Sequence, residues 1–220
     1  MKVKICGITR LKDALLAAKL GANAIGFVFF EKSPRNISIE KAAEIARGMP
    51  EDVAKIGVFV RPPREFAKKA VEIVGLAAIQ LHGISRGEEL LKINDLPTIL
   101  AVPVRKSGLD PGAAKLLPMA DVILLDAHHP AMHGGTGKTF NWDFGAEVAT
   151  REKIILAGGL TPENIRAAVK TVRPHAVDVS SGVEASPGVK DENKLKRFFK
   201  NIEEFRDGET GKNSEFFPIS

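Results

Sequence analysis

Residues 154–160 read IILAGGL and residues 176–182 read AVDVSSG, and these two stretches decide the fold class. Each is a short apolar run that ends in small or hydroxylated residues, as expected of a buried parallel strand followed by a loop. Apolar side chains recur every three or four positions over residues 162–172, which predicts an amphipathic helix between the two strands. Thr161, Pro162 and Glu163 are typical of a helix start with proline in the first helical position.

The same strand–helix unit recurs along the chain. Eight apolar runs start at intervals of 20 to 33 residues, at Val3, Ala24, Ala54, Ala78, Thr98, Asp121, Ile154 and Ala176. Amphipathic stretches between them predict further helices over residues 11–20, 39–47, 63–74 and 87–93, and a weaker one over residues 111–117. Strands that alternate with helices pair in parallel through right-handed crossovers. Eight such units predict a single-domain α/β protein, a (β/α)8 TIM barrel over residues 1–205, whereas an open doubly wound sheet would be large for 220 residues.

Two segments depart from this rhythm. Residues 127–141 form a long glycine-rich stretch, a length typical of a functional lid or a disordered loop in a compact barrel. Residues 206–220 are polar and without periodicity, which predicts a flexible C-terminal tail. Phe216 and Phe217 could instead dock that tail on the barrel.

Composition excludes several classes of protein. The hydrophobic share of 44% and the charged share of 27% are ordinary for a globular domain. The net charge of +5 is dispersed along the chain, so we expect no nucleic-acid partner. The longest apolar run, residues 24–30, is too short to span a membrane, and the N-terminus lacks the apolar core of a signal peptide. Cys6 is the only cysteine, so there is no disulfide framework, and a soluble cytoplasmic protein is expected.

The ends of the predicted strands supply the candidate catalytic residues, since active sites of such barrels lie at the carboxyl ends of the strands. Asp126 closes an apolar strand, where partial desolvation would suit a general acid, although an N-cap or a loop salt bridge would also explain it. Cys6 shares a strand face with Lys4, a cation that could stabilise its thiolate. Lys4 could equally cap a lower layer of the barrel, and an inert buried cysteine is the plainer alternative.

Other strand ends predict substrate binding. The loops after the seventh and eighth strands are rich in glycine and hydroxyl groups, which favours phosphate binding over simple tight turns. The predicted phosphate-binding residues are Gly158, Gly159, Ser180, Ser181 and Gly182. Substrate positioning is predicted for Gln80, His82 and Asp178, and Arg35 could pair bidentately with a carboxylate or remain a solvated loop residue.

Cofactor motifs are weak. Residues 137–139 resemble the end of a P-loop, but Met132 stands where its first glycine is required. His128, His129 and His133 lie in a glycine-rich loop that is a poor metal site, so no metal is expected.

Taken together, the strand ends resemble the phosphoribosylanthranilate isomerase family of tryptophan biosynthesis. Matching segments run in order over about residues 2–200, and their combination is highly specific where each alone would be weak. They are KICGIT (4–9), GFVF (26–29) with SPR (33–35), GVFV (57–60), QLHG (80–83), LLD (124–126), GGTGKTFNW (134–142), AGGL (157–160) and VDVSSGVE (177–184). The chain departs from the family at His128 and His129, at Asn141, and in its tail after Glu204.

The resemblance implies a cofactor-independent aldose–ketose isomerase that acts on a small phosphoribosyl substrate as a monomer or homodimer. It implies Cys6 as the general base, Asp126 as the general acid and Arg35 as a substrate contact. The nearest rival, the analogous isomerase of histidine biosynthesis, is expected to carry an aspartate where Cys6 stands. A metal-dependent pentose-phosphate epimerase and a non-catalytic phosphate-binding module are the remaining alternatives, and the presence of both Cys6 and Asp126 disfavours the last.

Overall fold

Eight parallel strands form a closed barrel in the computed structural model, which describes residues 1–84, 92–93, 95–105, 108–109, 115–126, 142–149 and 153–206. The strands are β1 (Lys2–Cys6), β2 (Ala24–Phe29), β3 (Ala54–Val60), β4 (Ala78–His82), β5 (Thr98–Arg105), β6 (Val122–Asp126), β7 (Ile154–Ala157) and β8 (Ala176–Val179). Their order around the barrel is β4–β3–β2–β1–β8–β7–β6–β5, and pairing of β4 with β5 closes the ring. The (β/α)8 prediction is confirmed, and the open-sheet alternative is wrong.

Strand register fixes which side chains meet at the centre. In β1, Lys4 lies opposite Asp178 of β8, and Cys6 lies opposite Gly26 of β2. Side chains alternate between the two faces of a strand, so Lys4 and Cys6 both point into the barrel. The strand that carries the cysteine is therefore flanked by an aspartate on one side and a glycine on the other.

Four of the six described helices fall on predicted amphipathic stretches, and the helices over residues 142–149 and 192–201 were not predicted. The helices are α1 (Leu11–Lys19), α2 (Ile39–Arg47), α3 (Arg64–Val74), α4 (Trp142–Ala149), α5 (Ile165–Val172) and α6 (Glu192–Asn201). The predicted start of α5 at Pro162 is wrong by three residues. The Asn164 side chain accepts a hydrogen bond from the Thr161 N–H (2.8 Å), and the Thr161 hydroxyl accepts one from the Glu163 N–H (3.2 Å). These bonds hold residues 161–164 in a turn, and the helix begins after it.

Several shorter elements complete the described chain, among them 3-10 turns at Ser181–Val183 and Glu203–Phe205. Residues Gly108–Leu109 pair antiparallel with β5. A two-stranded hairpin, Glu184–Ser186 and Val189–Lys190, follows β8 and precedes α6. A 3-10 turn covers Leu117–Met119, whereas residues 87–91 and 111–114 of the two remaining helix predictions lie outside the described residues.

Apolar packing forms two layers. One layer fills the barrel with small and branched side chains such as Ala24, Ala54, Ile56, Ile99 and Leu124. The larger layer lies between the strands and the surrounding helices and carries most of the core. In the described part of the chain, no helix is long and apolar enough to cross a membrane.

The boundary at residue 205 stays a prediction because residues 207–220 lie outside the described residues. Arg206 itself is docked, since its guanidinium donates to the carbonyl oxygens of Leu20 (3.2 Å) and Gly21 (2.5 Å).

Candidate active site

A cavity of about 240 Å³ opens at the carboxyl ends of the strands. All eleven residues that the sequence singled out line it, namely Cys6, Arg35, Gln80, His82, Asp126, Gly158, Gly159, Asp178, Ser180, Ser181 and Gly182. They come from six strand ends and their loops, so closure of the barrel is what brings them together. Their individual roles stay predictions.

Cys6 lies at the wall of this cavity with 7% of its surface exposed. A methyl group added at Gly26 would lie 2.9 Å from the Cys6 sulfur and 3.1 Å from Lys4 Nζ, so the two side chains meet over this glycine. Burial raises the pKa of the Cys6 thiol, with a further rise from the Asp178 carboxylate, and the ammonium groups of Lys4 and Lys190 oppose that rise without cancelling it. At neutral pH the thiol form therefore predominates in the free protein.

Lys4 is fully buried, and its Nζ lies 3.0 Å from Asp178 Oδ1. Burial acts to lower the pKa of Lys4, but the neighbouring Asp178 and Cys6 outweigh it and the pKa is raised. The lysine is therefore a stable cation inside the barrel.

Asp126 reaches the cavity from another side. It ends β6, and its backbone lies opposite Ala157 of β7. Around the ring, β6 is separated from β1 by β7 and β8. A bound molecule in the cavity can consequently contact Asp126 and Cys6 at different atoms.

Gln80 and His82, two residues apart on β4, contact each other through their side chains. The Gln80 amide nitrogen lies 2.7 Å from His82 Nε2. Burial, together with the charge of Lys4, lowers the pKa of His82 to about 4, so the ring is neutral and its Nε2 can accept that hydrogen bond.

Arg35 pairs with a carboxylate, the first of the two alternatives that the sequence left open. The carboxylate belongs to Glu184 of the protein itself. Arg35 Nε and Nη2 donate to Glu184 at 2.9 and 2.6 Å. Glu184 also accepts a hydrogen bond from the buried ammonium of Lys190 (2.9 Å). That ammonium donates in addition to the carbonyl oxygens of Cys6 (2.6 Å) and Ser180 (3.2 Å).

The loops after β7 and β8 form a close-fitting cradle. Gly158 and Gly159 adopt φ angles of +84° and +64°, which favour glycine. A side chain at Gly182 would place its Cβ 1.8 Å from the carbonyl oxygen of Leu160, so the two loops touch through their backbones. Ser181 opens a short 3-10 turn, Ser181–Val183, whose first N–H groups have no partner within the turn. This geometry suits an anion held by backbone donors.

Comparison with known proteins now identifies the family. A family model described as N-(5'-phosphoribosyl)anthranilate (PRA) isomerase matches residues 3–201. The chain belongs to this isomerase family. The N-(5'-phosphoribosyl)anthranilate isomerase of Pelobacter propionicus is 46% identical over 211 residues, which cover 96% of this chain and 99% of that protein.

Solved structures agree with this assignment. The phosphoribosylanthranilate isomerase of Thermotoga maritima superposes with a TM-score of 0.84 at 44% identity, covering 93% of this chain and 99% of its own. A second structure, an isomerase in complex with reduced 1-(o-carboxyphenylamino)-1-deoxyribulose 5-phosphate, gives a TM-score of 0.80 at 42% identity, with coverage of 93% and 99%.

Several buried polar atoms of this isomerase family member lack hydrogen-bond partners among the described residues. They are Lys4 Nζ, Gln80 Oε1, Asp178 Oδ1 and Ser180 Oγ. Unsatisfied buried polar groups are costly, and all four lie at or directly beneath the cavity. A polar ligand in the cavity can reach the residues among them that line it, Gln80, Asp178 and Ser180.

Sequence reasoning missed part of the site. The local sequence does not mark Lys190 as a site residue, and Glu184 appears only as the last residue of a matching segment. Lysine is normally exposed, so nothing local marks Lys190 as buried. The long loop predicted at residues 127–141, with its histidines His128, His129 and His133, lies outside the described residues.

Proposed function

We propose that the chain converts N-(5-phosphoribosyl)anthranilate to 1-(2-carboxyphenylamino)-1-deoxyribulose 5-phosphate in tryptophan biosynthesis, with Asp126 as general acid and Cys6 as general base. Family membership supports the reaction. The observation that carries the residue roles is that one cavity is lined by an aspartate and a cysteine from different sides and by a glycine- and serine-rich cradle.

The acid acts first. Asp126, in its protonated form, donates to the furanose ring oxygen as the C1–O bond breaks. The ring opens, and the nitrogen lone pair forms an iminium with C1. A half-buried carboxyl at the end of an apolar strand suits this step, since partial desolvation favours the protonated form.

The base acts second. The Cys6 thiolate removes the C2 proton, and the electron pair moves toward the iminium nitrogen to give an enolamine. This species tautomerises to the ketone, so C1 is reduced while C2 is oxidised within one molecule, and the atoms balance without an external redox partner. The thiolate is the minor form in the free protein, and the positive iminium helps to stabilise it when the substrate is bound.

Binding holds the sugar between the two groups. The cradle of Gly158, Gly159 and residues 180–182 would take the phosphate at one end. Arg35 keeps its Nη1 donors after Glu184 has taken Nε and Nη2, and these donors suit the carboxylate at the benzoate end of the substrate. Fixed attachment at both ends converts binding into orientation, which can supply several kcal/mol of the barrier.

Gln80, His82 and Asp178 complete the cavity as positioning residues. Neutral His82 and the amide of Gln80 offer uncharged polar contacts to the sugar hydroxyls. A cytoplasmic location is part of the proposal, because a phosphorylated substrate does not cross a bilayer unaided and the single cysteine is unpaired.

Turnover of freshly prepared phosphoribosylanthranilate, followed by loss of its fluorescence, tests the proposal. We expect Cys6→Ala and Asp126→Ala to lose roughly 100- to 10,000-fold in kcat while still binding product by calorimetry. Asp52→Ala, in an exposed turn, is the matched control and should keep wild-type turnover. Undiminished turnover in either active-site variant would show that the assigned role is wrong. Absence of turnover in folded wild-type protein would overturn the proposed reaction.

A further inference from the structure

We propose that Lys4 is a positioning residue that supplies the positive charge for the Cys6 thiolate, and that Gly26 keeps open the space in which the two side chains meet. This inference rests on the proposed role of Cys6 as the base. It excludes the alternative that Lys4 only fills a lower layer of the barrel, a place that an apolar side chain could take.

The geometry brings the two groups together. Lys4 and Cys6 are two residues apart on the same face of β1, and Lys4 is completely buried. The Cβ position of a residue at Gly26 would lie 2.9 Å from the sulfur, 3.1 Å from Nζ and 3.2 Å from Cε of the lysine. A side chain at Gly26 would therefore crowd both the ammonium and the thiol, and at least one of them would have to move.

Four other groups with charge or titratable character surround this pair. Lys190 and Arg35 are cations, but hydrogen bonds already engage both: Lys190 Nζ has three acceptors, and Arg35 is held by Glu184. His82 is neutral, and Asp178 is the anion that faces Lys4.

Lys4 is the cation with donors left over in this described part of the site. Its Nζ lies 3.0 Å from Asp178 Oδ1, yet the contact lacks hydrogen-bond geometry, and both atoms remain without a hydrogen-bond partner there. An ammonium carries three donors. When Cys6 loses its proton, one of these donors can turn to the sulfur while the charge still balances Asp178.

Asp178 explains why the arrangement needs the lysine. The carboxylate disfavours a second anion at Cys6, and burial adds to that cost. The Lys4 ammonium offsets both the repulsion by Asp178 and the cost of burial, because a nearby opposite charge favours the charged forms of Asp178 and Cys6. Loss of Lys4 would leave Asp178 and the nascent thiolate as two uncompensated negative charges.

Alkylation of Cys6 by iodoacetamide across pH tests the inference, and Cys6 is the only cysteine that can react. We expect Lys4→Met to move the apparent pKa of the thiol upward by at least about one unit, which lowers the alkylation rate at pH 7.5 about tenfold. Lys2→Met is the matched control: it removes a positive charge from the same strand and face, two residues farther from the sulfur, and should leave the profile unchanged.

Gly26→Ala provides an independent variant that keeps every charge. Its methyl group should separate Nζ from the sulfur and shift the alkylation profile in the same direction. In turnover, both variants should move the rising limb of kcat/KM to higher pH and recover part of their activity there, which a purely structural defect would not do.

Circular dichroism and thermal unfolding establish which variants are folded. A folded Lys4→Met or Gly26→Ala protein with the wild-type alkylation profile would overturn the inference. Alkylation requires no substrate, so this outcome is distinct from failure of the proposed function, which appears as undiminished turnover in Cys6→Ala.

Discussion

Replacement of Lys190 by methionine removes one ammonium from a buried network and should destabilise the fold. The ammonium donates to the Cys6 carbonyl (2.6 Å), the Ser180 carbonyl (3.2 Å) and the Glu184 carboxylate (2.9 Å). The residue is 5% exposed, so water cannot replace these bonds without rearrangement. Methionine has an unbranched side chain one atom shorter than lysine and leaves all three acceptors without this donor.

The loss in the free energy of unfolding depends on the acceptors that remain without the Lys190 ammonium. Removal of one partner from a buried ion pair typically costs about 3–5 kcal/mol. Glu184 keeps its hydrogen bonds to Arg35, which places the expected loss near the lower end, about 3 kcal/mol. For a domain of this size, each kcal/mol lowers the melting temperature by roughly 2–4 °C, so Lys190→Met should melt roughly 6–12 °C below wild type.

Thermal unfolding followed by circular dichroism measures this difference, with Lys196→Met as the matched control. Lys196 is also paired, with Glu192 one helical turn away, but its side chain is 54% exposed. Exposed pairs contribute less than about 1 kcal/mol, so the control should melt within roughly 4 °C of wild type. Equal melting temperatures of the two variants would mean that the buried network does not stabilise the barrel.

Three further predictions concern individual residues. Gly182→Ala forces a Cβ against the Leu160 carbonyl, so KM for the phosphorylated substrate should rise at least about tenfold; an unchanged KM would count against a cradle at these loops. The lysine of Arg35→Lys cannot bind Glu184 bidentately, so KM should rise roughly 10- to 100-fold. Wild-type kinetics in this variant would show that the bidentate pair with Glu184 is dispensable. Burial lowers the pKa of His82 to about 4 in the folded protein, against about 6.5 in the unfolded chain. Between these two pH values only the unfolded chain protonates this histidine, so the free energy of unfolding decreases as the pH is lowered, by up to about 3 kcal/mol. Urea unfolding at pH 7 and pH 4.5 should show a smaller loss in His82→Gln than in wild type, and equal losses would contradict the assignment.

Local sequence signals carry most of the fold. The apolar runs at Ala24, Ala54 and Ala78 begin where the strands begin, because a strand buried on both faces needs a continuous apolar stretch. The start of α5 differs from the predicted one for an equally local reason. Thr161 and Pro162 are typical of a helix start, but the side chain of Asn164 makes a competing turn that the pattern does not reveal.

The candidate site was predictable wherever it depends on strand ends. Cys6 and Asp126 follow from the rule that barrel chemistry lies at the carboxyl edge, and both line the cavity. The balance that sets the thiol pKa was not predictable. A nearby lysine suggests a lowered value, yet the depth of burial outweighs it, and depth is a property of the closed barrel rather than of the local sequence. The position of Lys190 was equally hidden, since it depends on a contact 184 residues away.

Because of that contact, the site depends on a part of the barrel that is synthesised late. Strand β1, which carries Cys6, is synthesised before its neighbour β8, which starts at Ala176. Lys190, whose ammonium donates to the Cys6 carbonyl oxygen, is synthesised later still. At a synthesis rate of about 5–20 residues per second, roughly 10–40 s pass between the synthesis of β1 and that of Lys190. A nascent chain that stops short of Lys190 carries the proposed acid and base in its sequence without the means to hold them in place. Activity during synthesis would therefore report completion of the barrel, and premature termination would yield inert protein rather than a partly active enzyme.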